Sequence, residues 1–422
     1  MQVAWKAAFL QPRARAASWI RWQRNSACLL TRAYSQATKQ QALYPASVHS
    51  SELLYAVSPA PNHRLLGHVE QPSRVETVIE ALKVSGVINS SKMLELPGLR
   101  AASPEEVARV HSYVDELRKT CRERVPAAVA DIGDPDGVTY VTSTSFEDAL
   151  QARKRWQHHA ASAAGIAISL TEAVTQASRA GSCSTSAFAI TRPPGHHATA
   201  DTPLGYCLFN NVALAARHAQ QHLGLKKVFI LDFDLHAGNG TCDIFYDDPS
   251  VLFVDTHERH SIYPPPFIAG DVGDIGEGRG RGATINIPLP RSAAKASMLT
   301  VFDEVIGPAA ERFRPDLVLV SAGYDAHWRD PFQQLQLRSS TYHALASRLK
   351  ALAGRLCGGR LVFLLEGGYQ VDAVGESVAE TFLALLGQPS REAGKAMVLP
   401  REEPLAEVKR LVRELRALHG LR

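Results

Sequence analysis

Five short, nearly continuous apolar runs recur along the chain: "SAFAITRPPG" (186–195), "KKVFILDFDL" (226–235), "SVLFVDTH" (250–257), "DLVLVSAG" (316–323) and "RLVFLLEGGY" (360–369). Each is rich in β-branched or aromatic residues and ends in glycine, proline or polar residues. Strands that are apolar on both faces belong to parallel sheets covered by helices. Helical patterning fills the intervals, as in 207–222 ("CLFNNVALAARHAQQH"), 296–313 and 339–353. The alternation predicts an α/β domain over 52–388, a parallel sheet with helices on both faces. Beyond it, 389–422 is charged, with Leu405, Val408, Leu411, Val412, Leu415 and Leu418 near helical spacing. That pattern predicts a helical tail packed on the domain or on a partner subunit.

In sheets of this kind ligands bind outside the C-terminal ends of the strands. The polar clusters of this sequence lie at those ends. "LDFDLHAGNG" (231–240) carries Asp232, Asp234 and His236 at alternate positions, which on a strand would share one face. Carboxylate oxygen and imidazole nitrogen suit zinc and other first-row divalent ions, and a catalytic zinc needs three protein ligands and an open position. Asp234 and His236 could supply two, and Asp325 in "SAGYDAHWRDP" is a candidate for the third, with a helix cap as its bland alternative. "RPPGHHATADTPLGYCLFNN" (192–211) places His196 and His197 after a rigid Pro-Pro-Gly turn, a candidate general acid–base pair. Each imidazole needs a partner to fix its tautomer, and Asp232 and Asn239 are the candidates. In "LLEGGYQ" (364–370), Tyr369 follows a flexible Gly-Gly and could donate to a developing oxyanion. The loop 269–282 ("AGDVGDIGEGRGRG") is glycine-rich but follows no strand that would make it a dinucleotide fingerprint, so its phosphate-binding signal is weak.

Charge is uneven along the chain. Residues 1–51 hold seven basic residues (Lys6, Arg13, Arg15, Arg21, Arg24, Arg32 and Lys39) and no acid. An Arg- and Ser-rich, acid-free N-terminus reads as an organellar transit peptide. "RAYS" (32–35) fits a mitochondrial processing pattern with a cut after Tyr34, so residues 1–34 are read as the presequence and 35–51 as a linker, with the chloroplast as the alternative destination. The cut removes six of 46 basic residues and leaves 40 against 42 acids, so the formal +4 belongs to the presequence. The near-neutral body suggests no nucleic-acid footprint. No apolar run approaches the length of a membrane span. The six cysteines lie far apart with no C-x-x-C pair, which argues against a disulfide framework or a cysteine zinc module.

Taken in order, "GHVEQPSR" (67–74), "RPPGHHA", "GYCLFNN", "DFDLHAGNGT", "SAGYDAH" and "EGGY" resemble the histone deacetylase and acetylpolyamine amidohydrolase superfamily, class II type. The similarity covers roughly 55–388, and the wording is closest to plant and algal organellar class II-like deacetylases. The resemblance implies a single-domain arginase–deacetylase α/β fold with about eight parallel strands. It implies that Asp234, His236 and Asp325 bind one zinc ion, that His197 is the general base, and that His196, oriented by Asp232, is its electrostatic partner. Tyr369 would stabilise the oxyanion, and the carbonyl of Gly205 would accept the scissile amide N–H. Tyr206 and Tyr263 would wall an acyl-lysine tunnel. A structural potassium would sit on backbone carbonyls of the Asp232–His236 stretch.

The departures bear on substrate. Asn239 stands where many relatives carry aspartate, which holds His197 without raising its basicity as far. Ala237 replaces a second histidine, and tyrosines at 206 and 263 replace phenylalanines. Seven residues after the third ligand, polyamine-selective members carry a glutamate, whereas this chain has Phe332. The expectation is therefore a zinc-dependent deacetylase of acetyl-lysine in proteins, with small N-acetyl amines or polyamines as the alternative substrates and a homo-oligomer possible. A two-manganese arginase-like hydrolase lacks support in the motifs. A non-catalytic acyl-lysine reader would be expected to lack the dyad, a ligand or the tyrosine, and none is missing. "RKRWQHHA" (153–160) reads as a local insertion with His158 and His159 at the surface.

Overall fold

The five apolar runs become strands whose residues are buried nearly end to end, because helices cover both sides of the sheet they form. The computed structural model describes residues 44–61, 63, 67–114, 159–182, 185–261, 268, 270–332, 334–395 and 399–421. The presequence 1–34, most of the linker, residues 153–158 of the insertion and Tyr263 lie outside these residues. Within the unit Ser47–Arg422, eight strands form one sheet. They are β1 (Leu53–Ser58), β2 (Met93–Glu95), β3 (Ser186–Thr191), β4 (Val228–Asp232), β5 (Val251–Glu258), β6 (Thr284–Leu289), β7 (Leu317–Ala322) and β8 (Leu361–Leu365). Their order is β2-β1-β3-β8-β7-β4-β5-β6, and every neighbouring pair is parallel. Strand β6 closes one edge, where Pro288 is tolerated because an edge strand can spare a ladder N–H.

The principal helices are α1 (Ser73–Val84), α2 (His159–Arg179), α3 (Asn211–His222), α4 (Asn239–Phe245), α5 (Lys295–Val301), α6 (Gly307–Phe313), α7 (Ser339–Cys357), α8 (Val371–Leu385) and α9 (Leu405–His419). On one face α1, α7 and α8 pack together; α2 and α3 cover the other. The core gathers Phe188, Phe229 and Phe363 from the sheet with Val78, Leu349 and Phe382 from the helices. Phe188 and Phe363 stack with centroids 5.8 Å apart, and each fully buried phenylalanine contributes about 1.5–3 kcal/mol. The 207–222 stretch is helical only from Asn211, since Asn210 accepts the N–H of Ala213 and caps the helix at that point.

The tail belongs to the domain. Val408, Leu411, Val412 and Leu415 of α9 are buried in the same core, and the helix packs on α5 and β6. Glu403, just before it, accepts the N–H groups of Ala294 and Ser297 and so caps α5. His159 opens α2 and is half-buried rather than at the surface, because that turn of the helix already faces the core.

Candidate active site

Strand β4 ends at Asp232, so Asp234 and His236 do not share a strand face with it as the alternation suggested. The alternation has a different cause. Asp232 Oδ1 accepts the N–H of Asp234 at 3.0 Å, and Asp234 Oδ1 accepts the N–H of His236 at 3.0 Å. Asp325 Oδ1, from the segment after β7, accepts the N–H of Leu235 at 2.9 Å. Each carboxylate thus satisfies backbone that has left the sheet ladder, and the turn is held where the strand ends.

These bonds leave one face of each group aimed at a common point. A ligand atom from each of Asp234, His236 and Asp325 lies within 4.8 Å of the others. His236 Nδ1 stands 3.1 Å from Asp234 Oδ1 and 3.0 Å from Asp325 Oδ2. Asp325 Oδ2 is buried and takes no N–H or O–H hydrogen bond beyond that imidazole contact. Two buried carboxylates facing one imidazole fit a divalent cation, which compensates charges that burial alone would expel. The cradle tolerates no side chain: a Cβ at Gly323 would fall 2.0 Å from Asp234 Oδ2, and one at Gly367 would fall 2.4 Å from Asp325 Oδ2.

The two histidines lie beside the cradle with ring centroids 3.9 Å apart. His196 Nδ1 is 3.0 Å from Asp232 Oδ2, and His197 Nδ1 is 2.8 Å from Asn239 Oδ1. Both are buried, yet they are driven in opposite directions. Burial opposes a charge on His196, but the anionic Asp232 and Asp234 outweigh it and hold its pKa well above the ordinary value. His197 is pushed well below by burial and then by the charges of His196 and His236. Neighbouring groups tuned apart in this way suit one to remain charged and the other to accept a proton.

Tyr369 lies within reach of the charges of the cradle carboxylates Asp325 and Asp234. Burial, and after it the charges of Asp325 and Asp234, push its hydroxyl well above the usual tyrosine range, so it remains a donor. Phe332 meets His236 edge-on at 5.2 Å and Tyr369 at 5.5 Å, and Tyr206 meets Tyr369 at 6.1 Å. Gly205 and Tyr206 have φ of 54° and 67°, a left-handed turn that glycine adopts freely and tyrosine at a cost.

Several residues that hold this arrangement carried no role in the motifs. Glu366 Oε2 accepts the N–H groups of Gly195 (2.6 Å) and His196 (3.2 Å), tying the end of β8 to the dyad. Asp330 accepts the N–H groups of Tyr369 (2.8 Å) and Gln370 (3.2 Å). Arg74, buried in α1, donates to the carbonyls of Gly368 and Glu366 and lies over the Tyr369 ring at 5.2 Å. Glu70 joins Arg74 (2.9 Å) to Arg192, the residue that leads into the Pro-Pro-Gly turn.

Comparison with known proteins shows the family and the fold. Residues 68–385 match the family profile described as "Histone deacetylase domain". The chain is 41% identical over 391 residues to histone deacetylase 10, chloroplastic, of Oryza sativa subsp. japonica, covering 91% of this chain and 84% of that one. It is 41% identical over 396 residues to histone deacetylase 14, chloroplastic, of Arabidopsis thaliana, covering 92% and 90%. Polyamine deacetylase HDAC10 of Homo sapiens is 36% identical over 327 residues, which is 76% of this chain and 45% of that protein. Among solved structures, the crystal structure of the HDA15 HD domain superposes with a TM-score of 0.71 at 27% identity, covering 88% of this chain and 94% of that one. The fold is the arginase–deacetylase α/β fold.

Proposed function

The chain belongs to the histone deacetylase family and is a hydrolase of the deacetylase type, and on that premise we propose that it removes acetyl groups from lysine side chains of proteins with the help of one zinc ion. The observation that carries the reading is the convergence of Asp234, His236 and Asp325 on one point beside two oppositely tuned histidines. Asp234, His236 and Asp325 would hold that ion, which would supply Lewis-acid polarisation of the acyl oxygen and acidify water. Asn239 Oδ1 keeps the proton of His197 on Nδ1, which leaves Nε2 to take a proton from the attacking water and return it to the departing amine. His196, kept charged by Asp232, stabilises negative charge as it develops. The Tyr369 hydroxyl donates to the acyl oxygen, and the Gly205 carbonyl accepts the scissile N–H. Tyr206 and Phe332 flank the approach, with Tyr263 as a further wall in the reading from sequence. The same reading places potassium on the carbonyls of Asp232–His236.

Phe332 decides between substrates. It offers no carboxylate to a distal ammonium, so acetyl-lysine is favoured over acetylpolyamines even though one relative is named a polyamine deacetylase. The zinc-loaded protein is expected to turn over an acetyl-lysine peptide at least about tenfold faster, in kcat/KM, than an acetylpolyamine. A preference for the polyamine would overturn the substrate assignment, and no hydrolysis of any acetyl amide would overturn the reaction.

Asn239 makes a pH prediction. A base acts unprotonated, so activity falls as pH drops through its pKa. Asn239→Asp sets an anion against His197 Nδ1, raises that pKa, and should move the acid limb of kcat/KM up by about one to three pH units. An unmoved limb would remove His197 from the role of base.

The same premise concerns destination. The two plant relatives are named chloroplastic, which favours the chloroplast over the mitochondrial reading of "RAYS". Arg- and Ser-rich, acid-poor composition is common to both kinds of transit peptide and does not separate them.

A further inference from the structure

At the opposite end of the sheet from the cradle, a cleft of about 270 Å³ opens where β4, β5 and β6 begin. Four cations line it: Lys227 just before β4, Arg279 and Arg281 from the glycine-rich loop, and Arg312 from α6. All four are exposed, and no acidic residue is among the described residues that line the cleft. Nor does any of the four take part in an ion pair among the described residues. This contrasts with the neighbouring surface, where Arg217 is paired with Asp248, Arg355 with Glu311 and Arg416 with Glu304. Four like charges lining one concavity make a positive potential that attracts an anion.

The cations are also partly held in place. Lys227 Nζ donates to the Phe313 carbonyl at 3.1 Å and lies over its ring at 5.2 Å. The backbone N–H groups of Lys226 and Lys227 are both held by Asp316. Arg312 donates to the carbonyl of His419 at the end of α9. Leu252 and Phe313 add an apolar surface to the same cleft. Cations and apolar groups in one cleft fit a small molecule that carries both an anionic and an apolar part.

We propose that this cleft binds a small phosphorylated metabolite, its phosphoryl group held by Lys227, Arg279, Arg281 and Arg312 and its organic part against Leu252 and Phe313. The site is separate from the acetyl-lysine chemistry. Arginine and lysine recognise phosphoryl oxygens through charge-assisted hydrogen bonds, and the small volume suits a metabolite better than a nucleic-acid strand.

The test uses the full chain with its zinc, titrated by calorimetry at constant ionic strength with inorganic phosphate, phenyl phosphate, benzyl alcohol and a single-stranded oligonucleotide. Phenyl phosphate should bind saturably with one site per chain and more tightly than inorganic phosphate, and benzyl alcohol should not bind. The double variant Arg279→Gln/Arg281→Gln should weaken phenyl phosphate binding by at least about tenfold and leave acetyl-lysine turnover within about twofold of wild type. Equal binding by wild type and variant would place the anion elsewhere and overturn the proposal. So would the absence of saturable binding, or a site that takes the oligonucleotide but neither phosphate.

Discussion

Replacing Glu70 with alanine should destabilise the protein by about 3–5 kcal/mol, because it strands two guanidinium groups in the interior. Glu70, Arg74 and Arg192 are all fully buried. Burial would raise the Glu70 pKa, but Arg192 and then Arg74 overcome it and bring it down to about 2 from 4.5. The stability this carboxylate contributes is therefore complete above pH 4.5 and is lost as pH falls towards 2. Function should suffer beyond stability. Arg74 holds the carbonyl of Glu366, before the Gly-Gly turn, and that of Gly368 within it, and Arg192 holds those of Pro59 and His63. Urea unfolding and kcat measured together on Glu70→Ala and Glu70→Gln separate the two effects. The glutamine variant keeps an acceptor and should fall between wild type and alanine in stability. If alanine unfolds at the wild-type urea concentration, the buried pair of arginines does not depend on Glu70.

Tyr369→Phe should lower kcat by about 10²–10³, the range found when one oxyanion donor is removed from a preorganised site. The substitution deletes one oxygen and leaves the ring's surroundings alone: Arg74 at 5.2 Å, Phe332 at 5.5 Å and Tyr206 at 6.1 Å. The backbone position is independent of the hydroxyl, since Asp330 holds the N–H of Tyr369 and Glu70 anchors Arg74. Stability and metal content should therefore stay at wild-type levels while the rate falls.

The sheet was legible because its strands are apolar on both faces, a pattern that half-exposed strands and surface helices do not produce. Strand β2 is three residues long and carries no signal, and β1 and β6 are short runs that do not stand out although each is largely buried. The candidate ligands stood out because carboxylates and a histidine interrupt an apolar run. Their alternate spacing suggests a strand face, whereas it reflects carboxylates that each bond the backbone N–H two residues on. The supporting residues were hidden for a different reason. Glu70 and Arg192 are 122 residues apart, and Glu366 reaches Gly195 over 171, so no local pattern announces either pair. Asp330 sits in "HWRDP", which reads as a solvated turn until the fold brings the Tyr369 loop against it. The basic cleft is likewise dispersed over Lys227, Arg279, Arg281 and Arg312.

The central claim is that three residues hold a zinc ion and one tyrosine completes the site that cleaves acetyl amides. It is tested most directly by measuring zinc content and acetyl-lysine peptide turnover together, on wild type, chelator-treated wild type and Tyr369→Phe. Both untreated proteins should carry one zinc per chain, the variant should turn over about 10²–10³-fold more slowly, and activity should disappear on chelation and return with zinc. Turnover that survives complete zinc removal, or that is equal in wild type and Tyr369→Phe, would contradict it.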